Sequence, residues 1–172
     1  MFAEILKITI PALMVFLAGY LALRILIKNE TQRQKSELMF NTIKITLPMR
    51  LQAYERLILF LERISPESIL VRVNKKGMLA SDFQNSLLGN IRAEWEHNLS
   101  QQLYVSKEAW ELVKNAKENI ISLINISSEK VAPNDSSFEL SRKILETFSE
   151  LDANPTTIAI DFLKKEVKNI LD

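Results

Sequence analysis

The chain begins with its longest apolar stretch. No charged residue occurs from Ile8 to Leu23, and Arg24 is the one charge within residues 8–27. At 1.5 Å of rise per residue, a helix of about twenty residues matches the roughly 30 Å hydrocarbon core of a bilayer. A cleaved signal peptide would end in a small-x-small site followed by the mature chain, and this segment offers no such site. The pattern therefore predicts a transmembrane anchor in residues 1–28, with residues 5–27 in contact with lipid.

The pattern changes after the anchor. Residues 29–46 are polar at first and apolar later, which predicts a basic juxtamembrane helix or linker. Leu47-Pro48 then interrupts the pattern. From residue 47 to residue 64, apolar side chains recur at spacings of three and four, so that one side of a helix is apolar. Pro66 should end this helix.

Four further helices are predicted in the remaining chain. They are expected to start at a capping box at Ser81, near Ser106, at a second capping box at Ser136, and at Asn154-Pro155. Residues 69–73 could form a strand by propensity, but no other β-rich run is present to pair with them, so a helical turn is expected. The predicted fold is all-α: one N-terminal transmembrane helix followed by an antiparallel bundle of about five helices in residues 47–172.

The distribution of charged residues predicts an orientation in the membrane. Residues 28–76 contain ten Lys and Arg against five Asp and Glu, whereas residues 77–172 contain ten against fifteen. Basic residues follow the anchor more densely than they precede it, which predicts a cytoplasmic C-terminal domain. The N-terminus would then be on the opposite side, which is the periplasm if the membrane is a bacterial inner membrane. The candidates for contact with anionic lipid headgroups are Arg24, Lys28, Arg33, Lys35 and Lys44.

Several classes of function lose support from composition. The formal net charge of +1 argues against a nucleic-acid-binding protein with a strongly basic surface. Three isolated glycines cannot form a phosphate-binding loop, and the absence of Cys removes thiol chemistry and thiolate metal sites. No small-molecule substrate or cofactor is indicated.

One pair of residues has the spacing of a metal site. Glu94 and His97 form Glu-x-x-His, which helical bundles use for di-iron or di-manganese centres. Such centres need two of these motifs and two further Glu, so a chain with one His would have to dimerise. Trp95 and Trp110 lie on apolar helix faces and are interpreted as core residues.

The apolar surface suggests interaction. Residues 38–64 carry more large apolar side chains than a single core stripe needs, and such an excess can pack against a membrane, a second subunit or another protein. The alternative is that the bundle simply surrounds this helix. The candidate interface residues are Leu38, Met39, Phe40, Arg50, Tyr54, Leu57, Phe60 and Leu61.

Three blocks of the sequence, residues 47–66, 91–106 and 109–120, resemble a family of small membrane-anchored proteins of Bacteroidota. That family is a domain of unknown function. The resemblance implies an inner-membrane protein with a helical domain, and it supplies no catalytic residues.

The expected function is therefore that of a non-enzymatic accessory or scaffold subunit. It would be tethered to the inner membrane and would bind other integral membrane proteins or a second copy of itself. The alternatives are a dimeric metal-dependent enzyme that uses Glu94 and His97, and a membrane-surface module that binds anionic lipid.

Overall fold

The structure is a computed structural model that describes residues 2–171, except for the side chains of residues 2–13, 15, 18 and 22. The described chain is all-helical, with no strand. Its helices are α1 (Phe2–Ile64), α2 (Pro66–Val73), α3 (Ala80–Glu96), α4 (Lys107–Ser128), α5 (Ser137–Ser149) and α6 (Pro155–Leu171), with a 3₁₀ helix at Leu99–Leu103. The all-α prediction is thereby confirmed.

The chain divides into two compact units, Met1–Leu47 and Pro48–Asp172. The division falls within α1, which continues through Pro48, so Leu47-Pro48 does not end the helix. A proline inside a helix removes one backbone hydrogen bond and crowds the preceding turn. Pro48 is exposed, so water can hydrate the backbone carbonyl that loses its partner.

The unit Pro48–Asp172 has one hydrophobic core. Helix α4 packs against α3, α5 and α6, and α2 packs against α3 and α5. The last three turns of α1 add Tyr54, Leu57, Phe60, Leu61 and Ile64, each at most 1% exposed. The core also contains Phe83, Leu87 and Ile91 of α3, Val113, Ile120 and Ile124 of α4, Leu140 and Ile144 of α5, and Ile160 and Leu163 of α6.

Three of the four predicted helix starts are confirmed, and each has a side-chain cap. The Ser106 side chain accepts a hydrogen bond from the Ala109 amide at 3.0 Å, and Ser136 accepts one from the Glu139 amide at 3.4 Å. Asn154 Oδ1 accepts from the Thr156 amide at 3.0 Å. Each cap provides an acceptor for an amide that has no partner within its own helix.

The fourth predicted start, the capping box at Ser81, is wrong. Helix α3 begins at Ala80, and its N-cap residue, Leu79, makes no side-chain cap hydrogen bond. The amides of Ala80 and Ser81 instead donate to the backbone carbonyls of Asp135, at 2.8 Å, and Pro133, at 3.2 Å. The loop before α5 thus supplies the acceptors that a capping side chain would otherwise supply.

Candidate functional site

The N-terminal candidates for a partner interface are exposed. Leu38, Met39 and Phe40 are 68%, 67% and 61% exposed, and Ile43 and Ile45 nearby are 50% and 67% exposed. We call these five residues the 38–45 segment. Single exposed apolar residues are common on proteins, whereas a dense group of large ones is typical of a surface that is covered by another molecule.

Four other interface candidates are buried. Tyr54, Leu57, Phe60 and Leu61 are core residues of the Pro48–Asp172 unit, each at most 1% exposed. An interface with a partner requires exposed side chains, so their assignment to an interface is corrected. The alternative in which the bundle surrounds this part of α1 accounts for all four.

Arg50 and Tyr54 belong to a polar cluster within the bundle. Arg50 Nε donates to the Tyr104 carbonyl at 3.3 Å, and the Tyr54 hydroxyl donates to Glu166 Oε2 at 3.1 Å. Burial raises the pKa of the Tyr54 hydroxyl, and the neighbouring Glu166 carboxylate raises it further, while Arg50 lowers it. The neutral hydroxyl is therefore favoured, and it joins α1 to α6.

The candidate headgroup contacts are all exposed. Arg24, Lys28, Arg33, Lys35 and Lys44 are at the surface of α1. Arg33 Nε lies 3.2 Å from Glu37 Oε1, and Lys44 Nζ lies 5.1 Å from the centroid of the Phe40 ring. Arg33 thus has an anionic neighbour already, whereas Lys44 adds charge directly beside the 38–45 segment.

In the predicted metal pair, the Glu94 carboxylate forms ion pairs with two arginines. Glu94 Oε1 lies 2.7 Å from Arg63 Nη2 and 3.5 Å from Arg72 Nη1. Arg72 Nη2 also donates to the Arg63 carbonyl at 3.1 Å. Arg63, Glu94 and His97 line a depression of about 400 Å³. Glu94 therefore joins the ends of α1 and α2 to α3, and a metal would have to compete with two arginines for its carboxylate.

No group of three or more metal-ligating side chains occurs among the described residues. Trp95 and Trp110 are half-buried and stacked, with 4.7 Å between ring centroids, and Lys117 Nζ lies 4.5 Å from the Trp95 ring. Both Trp rings pack against the core.

A groove that the sequence did not predict lies between α2 and α5. Its volume is about 660 Å³, and it is lined by the end of α2, the following turn and the first turns of α5. Lys75 and Lys76 are part of its lining. The turn was identifiable from Asn74-Lys75-Lys76-Gly77, but nothing in the sequence pattern placed α5 beside it.

Nearly the whole sequence matches a family model. The match is to DUF7935, a family of unknown function, over residues 1–170. The chain belongs to this family. Comparisons with curated proteins and with solved structures gave no match. Membership in DUF7935 confirms the resemblance to a family without an assigned activity.

The predicted anchor is described only in part. Of the predicted anchor, residues 1–28, the structure does not describe residue 1 or the side chains of residues 2–13, 15, 18 and 22. Within the described part of the chain, no helix includes a stretch of sufficient length and hydropathy to span a bilayer.

Proposed function

We propose that this DUF7935 protein is a non-enzymatic accessory or scaffold subunit of the bacterial inner membrane. Its N-terminal helix is the tether, and the 38–45 segment binds either a larger membrane complex or a second copy of the chain. The observation that carries the proposal is the exposure of five large apolar side chains, 50–68% each, within eight residues of α1. Association removes such a surface from water, which is the main favourable term in most protein contacts.

The position of the 38–45 segment supports a partner that is itself in the membrane. The uncharged stretch from residue 8 to residue 23 is followed by Arg24, Lys28, Arg33 and Lys35. With this basic flank in the cytoplasm, Leu38 would follow the end of the anchor by about eleven residues, or about 17 Å of helix. Cytoplasmic parts of other membrane proteins extend through the same zone.

The anchor and its orientation can be tested directly because the chain has no Cys. A single Ser149→Cys variant, at an exposed position of α5, would be treated with a membrane-impermeant maleimide in intact and permeabilised cells. We expect labelling only after permeabilisation. An Ala3→Cys variant should react in intact cells. Labelling of Ser149→Cys in intact cells would contradict the orientation, and recovery of the chain without membranes would contradict the tether.

The interaction is tested by purifying tagged full-length protein from its own membrane in mild detergent. We expect a stoichiometric partner or a homo-oligomer, which should be lost in the triple variant Leu38→Ser, Phe40→Ser, Ile43→Ser. The matched control is Leu59→Ser, since Leu59 is also on α1 and 56% exposed. A clean monomer of the unmodified protein under several detergent conditions would refute the proposal.

A further inference from the structure

The groove between α2 and α5 has a well-defined floor. Ser137 Oγ donates to Asn74 Oδ1 at 2.8 Å, and the Ser137 amide donates to the Met78 carbonyl at 2.9 Å. Leu79 and Ser136 pair as an isolated antiparallel bridge. These bonds join the turn after α2 to the start of α5, so the two walls of the groove hold a fixed spacing before any ligand binds.

The walls of the groove are apolar and unusually exposed. Val71 is 82% exposed, Phe138 is 68% exposed, and Leu79 and Leu145 are 42% and 43% exposed. They surround a space of about 660 Å³, which is within the range of roughly 300–1,000 Å³ that is typical of ligand-binding clefts. A concave space of this size fits inserted side chains better than it fits a flat bilayer surface.

The charge at the groove has one sign. Its lining includes Lys75 and Lys76 and contains no Asp or Glu. Both lysines are exposed, and neither forms an ion pair with another described residue. The N-terminus of α5 lies in the same lining, and the acidic residue of its first turn, Glu139, is not part of that lining. The electrostatic complement of this surface is an anionic group next to apolar side chains.

We propose that this groove is a docking site for a short amphipathic segment of a partner protein, one that combines large apolar side chains with Asp or Glu. The apolar side chains occupy the space between Val71 and Phe138, and the carboxylates pair with Lys75 and Lys76. The groove lies in the Pro48–Asp172 unit and so adds a surface to the proposed accessory function that is separate from the 38–45 segment.

The test uses the full-length protein in nanodiscs and a phage-displayed library of random 12-residue peptides as the probe, with empty nanodiscs for counter-selection. We expect enrichment of peptides that combine Leu, Ile or Phe with Asp or Glu. The best peptide, labelled with a fluorophore, is then titrated by anisotropy. Binding should weaken about tenfold or more in Lys75→Glu/Lys76→Glu and in Val71→Ser/Phe138→Ser, as expected for loss of a close charge pair or of an apolar anchor.

The matched control is Lys164→Glu/Lys165→Glu, a pair of adjacent exposed lysines on α6, which should leave the affinity unchanged. Circular dichroism of each variant verifies that the helices remain folded. The proposal is overturned if no peptide is enriched, if enriched peptides are basic, if they bind Lys75→Glu/Lys76→Glu as tightly as the unmodified protein, or if anionic lipid in the nanodisc displaces them. These outcomes leave the purification with the 38–45 variants unaffected, so the two proposals fail separately.

Discussion

Leu57 and Leu38 are on the same helix but should respond in opposite ways to the same substitution. Leu57 is fully buried in the bundle core, whereas Leu38 is 68% exposed. Leu57→Ala removes buried methyl and methylene groups and leaves a cavity, which costs about 2–5 kcal/mol in well-packed cores. Because Leu57 has no exposed surface, we expect a loss of about 3 kcal/mol. Leu38→Ala should change the free energy of unfolding by less than about 0.5 kcal/mol.

Urea unfolding of the full-length protein in detergent measures this difference. Trp95 and Trp110 are stacked in the bundle unit, so their fluorescence reports on its packing. With a slope of about 2 kcal/mol per molar urea, a loss of 3 kcal/mol lowers the unfolding midpoint by about 1.5 M. Leu38→Ala should leave the midpoint unchanged and instead weaken recovery of the partner or oligomer.

Two outcomes would contradict these assignments of Leu57 to the core and Leu38 to the surface. If Leu57→Ala shifts the midpoint by less than about 0.5 M, the residue does not occupy a well-packed core. If Leu38→Ala destabilises the bundle as much as Leu57→Ala does, the 38–45 segment is buried rather than exposed in the folded protein.

Three further predictions concern single side chains. Ser136→Ala should cost about 1 kcal/mol of unfolding free energy because it removes a helix cap, whereas Ser81→Ala, measured in the same urea assay, should cost far less. Gly77→Ala should destabilise the fold by about 1 kcal/mol because Gly77 has φ +79°. Gly89 is in the interior of α3 with open space at its Cβ position, so Gly89→Ala should be neutral or stabilising by up to about 1 kcal/mol. Thermal melts followed by circular dichroism compare the two variants. Because burial raises the pKa of Tyr54 above its ordinary 10.0, the folded state holds this proton more tightly than the unfolded state. The stabilising contribution of the protonated hydroxyl is therefore complete below about pH 10 and is lost as the pH rises further. When the pH is raised from about 9 to about 11, Tyr54→Phe should lose less unfolding free energy than the unmodified protein. Equal losses would contradict the burial of the Tyr54 hydroxyl beside Glu166.

Local signals in the sequence predicted most of the fold. Apolar spacing located the long helices, and caps at Ser106, Ser136 and Asn154 located three of their starts. These features depend on residues within one or two turns of each other, which is why a pattern can reveal them. The capping box predicted at Ser81 is wrong because backbone carbonyls more than fifty residues away serve as acceptors for the first amides of α3.

Surfaces that combine residues distant in sequence were harder to predict, because a local pattern does not show which helices pack together. The 38–45 segment was recognisable because it is a run of apolar residues in one short stretch. Tyr54 and Leu57 have the same apolar pattern as exposed residues of the helix, and only the packing of the other helices distinguishes them. The groove combines Val71 with Phe138, and the polar cluster combines Tyr54 with Glu166, so both depend on tertiary structure.

The exchange of hydrogen bonds between the loop before α5 and the start of α3 has a consequence for how the bundle opens. Amides at the start of α3 donate to carbonyls of residues 133 and 135, and the first amide of α5 donates back to the Met78 carbonyl. Neither helix start can complete its hydrogen bonding while the other is displaced. The two starts should therefore exchange their amide protons in one shared opening event, so that a ligand in the groove slows exchange at α3 as well as at α5.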